Sequence, residues 1–290
     1  MPAEQSVHPK TSIVSVYIDT GAALARSGQY EKSLEAYQQA LLLDPYNALA
    51  HIGKGNALYN LKRYNEAGPA YHEAILLAPD NVLAYIGRGY ALYARDYLDE
   101  ALQVFEQAIR LDPTSSDAYN GKLLVLCGLE RYKEALIACN QLADLGLANA
   151  VTYRTKGVAL HHRQRYIEAL DAYEQAIRLN AGYAAAYAHK GNTLNALQRY
   201  HEALIAFEQA LKLDSTLALA YNGKGNALHH LKQYTEALAA YEHAILLNPF
   251  LAVAHHNKGI VLERLGKSKE AKQAYKKARQ LEIGQRTPRS

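Results

Sequence analysis

The sequence is short of the residues that mark several classes of protein. It has no tryptophan, one methionine, two cysteines and eight prolines among 290 residues. Two cysteines, Cys127 and Cys139, are too few for a disulfide framework, so a reducing compartment fits better. Alternating runs rich in valine, isoleucine and threonine are also missing, which argues against a β-sheet protein.

Long apolar segments and a leader pattern are missing as well. No apolar run approaches the ~20 residues that a membrane-spanning helix needs. Residues 1–10 are polar and lack the apolar stretch of a signal peptide. The sequence therefore predicts a soluble, cytoplasmic protein that has no membrane partner.

The net charge of +4 is unevenly distributed along the chain. Between Lys258 and Ser290, ten lysines and arginines stand against three acidic residues. Such a basic end is a weak signal for nucleic acid or an anionic membrane, and the rest of the chain adds none. We therefore expect no nucleic-acid partner.

The dominant feature is a repeat of 34 residues that runs without insertion or deletion. The repeats begin at Val14, Ala48, Val82, Ser116, Ala150, Ala184, Ala218 and Ala252, and the eighth ends near Gln285. Positions within each repeat are numbered 1 to 34 below. Residues 1–13 and 286–290 are interpreted as tails that flank the array at 14–285.

The spacing within a repeat predicts two helices. Positions 4, 8 and 11 share one face of a first helix, and positions 20, 24 and 27 share one face of a second. Aromatic residues recur at 4, 17 and 24, glycine at 8, and alanine at 20 and 27. Small residues at 8 and 20 allow close helix packing, and proline at 32 ends the second helix at Pro45, Pro79, Pro113 and Pro249.

This pattern resembles the tetratricopeptide repeat family, in particular its bacterial members with many consecutive repeats. The resemblance covers residues 14–285. It implies an all-α fold, a right-handed superhelical α-solenoid of eight helix-turn-helix repeats. It also implies that the first helices line a concave groove that holds extended or helical peptides.

Two repeats depart from the pattern. Repeat 4 has Leu123 at position 8, Cys139 at position 24 and Leu147 at position 32. The bulk of Leu123 predicts that the two helices of this repeat separate, with a local change of curvature near residues 120–150. Repeat 8 has Ser268 at position 17 and a basic last helix, which is typical of a solvent-facing terminal cap.

A charged pair accompanies the repeat. Position 7 is lysine or arginine and position 19 is glutamate in repeats 2 to 8, whereas repeat 1 has Thr20 and Lys32. Because both positions change together, we expect the two side chains to face each other within one repeat. The lysine stem would pack while its ammonium group reaches solvent.

The patterns that suggest catalysis, a phosphate loop or a metal have simpler explanations. The Gly-Lys-Gly of 53–55 and of 223–225 lies inside a predicted helix and recurs with the repeat, so packing glycine is favoured over a phosphate loop. Histidine pairs such as His229–His230 point about 100° apart on a helix and cannot chelate alone. Cys127 and Cys139 have no positioned base. We predict no catalytic residue, no metal site and no cofactor.

The predicted binding residues lie on the face of the first helices that carries positions 2, 5, 6, 9, 12 and 13. Of 23 tyrosines, 17 occupy packing positions, and Tyr59, Tyr90 and Tyr93 are among the six that do not. With Leu49 and Leu83 they indicate an apolar, aromatic site in repeats 2 and 3. The complete set of predicted site residues is Leu49, Ile52, Asn56, Tyr59, Ile86, Tyr90, Tyr93, Asn120, Arg154, Asn192, Asn195, Asn222, Asn226 and His229.

The second half of this face is polar. Asparagines can bind peptide backbone through a donor and an acceptor, and Asn56, Asn192 and Asn226 share position 9. This arrangement resembles a broken form of the asparagine ladder in the O-GlcNAc transferase repeats. Glycine at position 6, as in Gly53 and Gly223, would allow a ligand backbone to approach.

These observations favour a non-enzymatic scaffold or adaptor that binds a protein or peptide. The alternative is the targeting arm of a larger enzyme assembly, such as a glycosyltransferase like O-GlcNAc transferase or a kinase. The initial methionine and the short basic end favour a free-standing protein. A monomer or a weak homo-oligomer that associates through its end faces is expected.

Overall fold

A computed structural model describes the backbone of residues 9–286 and the side chains of residues 13–283. The part of the chain that is described consists of sixteen α-helices joined by short turns. It divides into two compact units, the first ending at Leu147 and the second beginning at Ala148. Each unit is a row of four helical hairpins, and the two units are described separately below.

The first unit contains repeats 1 to 4, and each repeat contributes two helices. These are α1 (Pro9–Arg26), α2 (Tyr30–Leu43), α3 (Ala48–Asn60), α4 (Tyr64–Leu77), α5 (Val82–Ala94), α6 (Leu98–Leu111), α7 (Ser116–Gly128) and α8 (Tyr132–Asp144). Asn47, Asn81 and Ser115 cap the first helices that follow them, each accepting a backbone N–H. Residues 9–13, interpreted from the sequence as tail, belong to α1, because no turn of a preceding repeat interrupts the helix there.

The second unit contains repeats 5 to 8. Its helices are α9 (Ala150–His162), α10 (Tyr166–Leu179), α11 (Ala184–Ala196), α12 (Tyr200–Leu213), α13 (Ala218–His230), α14 (Tyr234–Leu247), α15 (Ala252–Arg264) and α16 (Ser268–Arg286). The first helices of repeats 2 to 8 all begin at position 1. Arg286 lies in α16, although the sequence assigned it to the tail.

In the turn within each hairpin, the residue at position 15 has a left-handed backbone conformation. Glycine holds it in repeats 1 and 8, as Gly28 and Gly266. Repeats 2 to 7 place other residues there at φ between 56° and 64°, namely Lys62, Asp96, Glu130, Gln164, Gln198 and Lys232. A left-handed residue ends each first helix and turns the chain into the second.

The core of each unit is built from aromatic rings that lie between glycines. The ring at position 24 packs against glycine 8 of its own repeat: a Cβ built on Gly55 would lie 2.7 Å from Tyr71. Alanines at positions 3, 20 and 27 are almost fully buried around these rings. The residue at position 4 can add a hydrogen bond to the preceding turn, as the Tyr85 hydroxyl donates to the Pro79 carbonyl at 3.1 Å.

Repeat 4 has a large side chain at position 8 and a small one at position 24, the reverse of the other repeats. Leu123 replaces the glycine and Cys139 replaces the ring, and both side chains are buried. The backbones of α7 and α8 pack less closely along their length than those of the other hairpins, as the sequence predicted. Helix α8 also ends one residue earlier than the second helices of the other repeats up to repeat 7, and Gly146 turns the chain there at φ 69°.

The charged pair predicted in repeats 2 to 8 is close enough to interact, because the position-7 lysine lowers the pKa of the position-19 glutamate of its own repeat in repeats 2, 4, 5 and 6. The short ion pairs, however, are made with other residues. Four position-7 lysines pair with the glutamate at position 25 of the preceding repeat at 2.7–3.0 Å: Lys122 with Glu106, Lys190 with Glu174, Lys224 with Glu208, and Lys258 with Glu242. Four position-19 glutamates, in repeats 2, 4, 5 and 6, bind arginine at position 16, as Glu66 binds Arg63 at 2.7 Å. Position 7 therefore ties neighbouring repeats together.

Candidate functional site

The predicted site residues lie on one side of the first helices. At 100° per residue, positions 5, 9 and 12 point away from positions 4, 7 and 11. Positions 4, 7 and 11 pack towards the second helices, as in the Lys224–Glu208 pair. Positions 2, 5, 9 and 12 form what is called here the first-helix face of each unit.

In the first unit the structure brings the predicted tyrosines together. The rings of Tyr59 and Tyr90 lie 6.5 Å apart at an angle of 60°. Tyr90 also packs edge-on against Phe105 at 5.1 Å, and its hydroxyl lies 3.4 Å from the Asp117 carbonyl. Tyr59, Tyr90 and Tyr93, called here the tyrosine patch, are all partly exposed.

The surroundings raise the pKa of two tyrosines of the patch, Tyr59 and Tyr90. Burial raises the pKa of Tyr59, and the neighbouring Tyr64 and Tyr93 raise it further. Burial, followed by Asp117 and Tyr59, raises the pKa of Tyr90 to about 12. These phenols are therefore neutral hydrogen-bond donors near neutral pH.

The aliphatic residues predicted beside the patch separate into two groups. Leu49 and Leu83, at position 2, are 58% and 61% exposed. Ile52 and Ile86, at position 5, are buried at 6% and 9%, and Ile52 belongs to the core. Position 5 lies under the neighbouring first helix, so the leucines contribute surface that a ligand can reach and the isoleucines support them.

Two asparagines complete the first unit's share of the predicted site. Asn56 is exposed, and its Oδ1 accepts a hydrogen bond from the Tyr71 hydroxyl at 2.7 Å. Asn120 has a buried Oδ1 that no described group satisfies. An unsatisfied buried acceptor of this kind is costly.

In the second unit the face begins with a basic cluster around Arg154. The Arg154 guanidinium lies 5.9 Å from the centre of the Tyr183 ring, and its Nε is buried without a described partner. His189 stacks on Tyr173 at 5.9 Å with 10° between the rings. Burial, followed by the charges of Arg154 and of His161, lowers the pKa of His189 to about 4.

A hydrogen-bonded chain connects this cluster to the next helix. Thr193 donates to the His189 carbonyl at 3.0 Å, and His161 Nδ1 lies 2.9 Å from Thr193 Oγ1. Because the threonine proton is used, His161 Nδ1 is the donor. Burial, and to a lesser degree His162, lowers the pKa of His161.

The asparagines of repeats 6 to 8 mostly bind one another. Asn257 Nδ2 donates to the Oδ1 atoms of Asn222 and Asn226, at 3.1 Å each. The Tyr241 hydroxyl donates to the same Asn226 oxygen at 2.8 Å. Asn222 is only 8% exposed. Since these acceptors are used internally, the asparagines have less capacity for peptide backbone than their spacing predicted.

The other polar residues are more available. Asn192 is exposed, and Asn195 donates to the Gly223 carbonyl at 2.9 Å while its buried Oδ1 has no described partner. His229 is partly exposed, and burial, then His230 and Arg264, lower its pKa. Asn192 and His229 therefore form the more accessible polar part of this face.

The expected ligand approach at position 6 is wrong. A Cβ built on Gly53 would lie 2.2 Å from the Tyr37 ring, and one on Gly223 would lie 2.4 Å from Phe207. The aromatic ring of the preceding repeat already occupies the space that these glycines open. Their small size serves packing between repeats.

Sequence reasoning missed a cleft of about 550 Å³ on the opposite side of α13. Its apolar lining includes Leu204, Tyr221 and Leu228, and His243 stacks on Tyr221 at 5.3 Å. The residues at positions 4 and 11 had been attributed to packing alone. The available signal was at positions 22 and 26 of repeat 7, where Ala239 replaces larger residues and His243 replaces the glutamine that most other repeats have.

The side chains that could hold a metal or act as nucleophiles are spread over the described residues. Within them no three histidine, cysteine or acidic side chains come together as metal ligands would. Cys139 is buried and Cys127 partly so. None of the described helices has the length and apolar character to cross a bilayer.

A row of helical hairpins with an open first-helix face defines the class of α-helical repeat proteins. Three sequence models of the tetratricopeptide repeat match the chain, at residues 21–62 and 191–232, at 48–81 and 82–115, and at 215–281. The chain belongs to the tetratricopeptide repeat family. A search of curated proteins finds no match.

Solved structures share the fold. The Cut9–Hcn1 hetero-tetramer of the APC/C matches 95% of this chain at 17% identity and TM-score 0.71, and the chain spans 54% of that protein. A tetratricopeptide repeat protein from Parabacteroides merdae matches 90% at 14% identity and TM-score 0.70, over 99% of its length. YrrB, described as having an unusual peptide-binding site, matches 66% at 26% identity and TM-score 0.48, over 98% of its length.

Proposed function

We propose that this protein is a non-enzymatic scaffold that binds an extended peptide segment of another protein on its first-helix face. The tyrosine patch is the observation that carries the proposal. Three partly exposed phenols and two leucines that are more than half exposed share the first-helix face of repeats 2 and 3. Aromatic and aliphatic residues gathered on one surface are typical of protein-binding sites.

The geometry of the patch suits a peptide with apolar or aromatic side chains. Tyr90 is held by Phe105 and by the Asp117 carbonyl, so little side-chain entropy is lost when a ligand binds. The neutral phenols can donate to peptide carbonyls while their rings contact apolar side chains. Leu49 and Leu83 extend the contact along the same face.

The second unit contributes polar contacts. Asn192 is exposed and His229 is partly exposed. A peptide backbone offers both donors and acceptors to such groups. Cut9, which has the same fold, is a subunit of a complex with Hcn1, and assembly with other proteins is the use of the fold that we propose here.

The proposal is tested by selecting ligands from a displayed library of random peptides on the full chain. The selected peptides are then titrated against Tyr93→Ala and against Leu49→Asp with Leu83→Asp. These side chains are partly or largely exposed, so the fold is expected to persist, and circular dichroism checks this. Leu76→Asp, which changes an equally exposed leucine on α4, is the matched control.

We expect both patch variants to weaken binding by roughly tenfold or more, the effect of losing one hot-spot side chain. The control is expected to bind like the parent. Equal binding by all variants, or failure of the library to yield any peptide, would contradict the proposal.

A further inference from the structure

The two ends of the repeat array differ from every internal junction, and the differences are complementary. Inside each unit, a junction places the ring at position 24 of one repeat against position 6 of the next. It also places the residue at position 25 opposite position 7. The recurring choice is glutamate at 25 and lysine at 7, as in Glu242 with Lys258 at 2.7 Å.

The end face at α16 reverses the charge at position 25. Lys276 stands where Glu242 and its equivalents stand in the second unit. With His256, Lys272, Tyr275 and Arg279 it lines a cleft of about 510 Å³, which also includes Ala278 and Glu282. The cleft is therefore basic, and the first helix of any of repeats 2 to 8 would bring another cation to it at position 7.

Tyr275 lies at the floor of this cleft with one side of its ring covered. A Cβ on Gly259 would lie 2.6 Å from the ring, His256 packs on it at 5.4 Å, and its hydroxyl donates to Glu263 at 3.1 Å. Internal rings at position 24, such as Tyr241, are about 2% exposed, whereas Tyr275 is only partly buried. No described residue covers its other side.

The end face at α1 differs from the internal first helices at the positions that would meet the α16 face. It is the only first helix without a cation at position 7, where it has Thr20, and the only one with an acid at position 6, Asp19. Val16 at position 3 is 58% exposed, whereas alanine at the same position is fully buried in Ala50 and Ala84. The described outward face of α1 is thus partly apolar and acidic.

The junction of repeats 7 and 8 shows how a side chain of the size of Asp19 fits at position 6. Asn257 occupies position 6 at the junction of repeats 7 and 8, and donates to Asn226 Oδ1 beside the Tyr241 hydroxyl. Aspartate has the same shape as asparagine. Asp19 placed in that way over Tyr275 would face His256 at position 5, with Lys276 adjacent and Glu263 as the nearby acid.

We infer that the α16 face binds the α1 face of a second copy of this chain, so that copies associate head to tail. Thr20 then faces Lys276 without repulsion, and Asp19 enters the basic cleft. A contact of this heterologous kind leaves one free face at each end, so association continues beyond the dimer unless it closes into a ring.

Sedimentation equilibrium of the full chain at rising concentration tests the inference. We expect the average mass to rise beyond that of a dimer, and added salt to weaken the association because it screens the charges. Lys276→Glu should oppose Asp19, and Thr20→Lys should oppose Lys276. Each change alone is expected to weaken association by roughly tenfold, the scale of a surface ion pair replaced by a repulsive one.

The combined change is the decisive variant. Thr20→Lys together with Lys276→Glu recreates the internal pairing of positions 25 and 7, and should restore association to that of the parent. Lys232→Glu, the same charge change in an exposed turn, should have no effect, and circular dichroism should show unchanged helix content throughout. A monomer at every concentration, or a combined variant no better than the single ones, would overturn the inference.

Discussion

Gly87 lies against the ring of Tyr71, although the two residues belong to different repeats. A Cβ built on Gly87 would lie 2.2 Å from Tyr71 Cε1, closer than carbon atoms can approach. The same ring also meets Gly55 of its own repeat. The ring is therefore enclosed between two first helices, which joins one hairpin to the next.

Replacing Gly87 with alanine should destabilise the first unit. The added methyl group must displace a ring that is only 2% exposed, which costs about 1–3 kcal/mol. The higher helix propensity of alanine offsets about 1 kcal/mol of this. Urea unfolding of Gly87→Ala should show a lower midpoint than that of the parent.

Gly128→Ala is the matched control for this change. It is also in a first helix, but its nearest neighbour, Leu98 Cδ1, lies at an ordinary 3.4 Å. Its midpoint should be unchanged or slightly raised. A Gly87→Ala midpoint equal to that of the parent would show that the ring has room to move.

The effects of substituting Leu123 and Cys139 of repeat 4 on the free energy of unfolding should be coupled. Leu123→Gly alone leaves a cavity and should cost about 2–5 kcal/mol, while Cys139→Tyr alone overfills the buried space. Together they recreate the glycine and aromatic ring of the other hairpins. Unfolding of the double variant should therefore show a loss smaller than the sum of the single losses by about 1 kcal/mol or more. Additive losses would mean that the two positions do not share one space.

His189 should make the stability of the second unit depend on pH. Its pKa is about 4 in the folded chain and about 6.5 in the unfolded chain, so the unfolded chain binds more protons between these values. The contribution of His189 to the free energy of unfolding is fully present above pH of about 6.5. Up to about 3 kcal/mol of it is lost as the pH falls towards 4. The contribution is thus lost on acidification.

Thermal unfolding at a series of pH values checks this dependence. His189→Asn introduces the residue that Asn257 supplies at the same position of repeat 8, and it should flatten the fall in unfolding temperature over that range. His161, whose pKa burial also lowers, accounts for a smaller remainder. An equally steep fall in the variant would remove His189 as its source.

The sequence predicted the local features well because they depend on residues close together in the chain. The 34-residue period places the helix starts at Ala48 and its equivalents, and the exchange at Leu123 predicts the looser packing of α7 and α8. Turn residues and helix periodicity act within a few residues, so a single repeat contains the information.

Features that join one repeat to the next were predicted less well. Glu236 of the same repeat and Glu208 of the preceding one both recur at a fixed spacing from Lys224, and the pattern alone does not tell which is in contact. The same ambiguity led Gly223 to be interpreted as an approach route for a ligand. The tyrosine patch was predicted because its residues lie outside the positions that pack within and between the hairpins. The burial of Ile52 was not predicted, because it depends on the angle between neighbouring helices.

Site-specific photocrosslinking tests the proposed binding face most directly. A photoreactive phenylalanine analogue at Tyr93, at Leu76 or at His243 would be irradiated in the presence of a peptide selected on the full chain. The account predicts a crosslink from position 93 and none from the second helix α4 or from the cleft at His243. Crosslinking from position 243 or 76 with none from 93 would place the peptide elsewhere and contradict the assignment of the tyrosine patch.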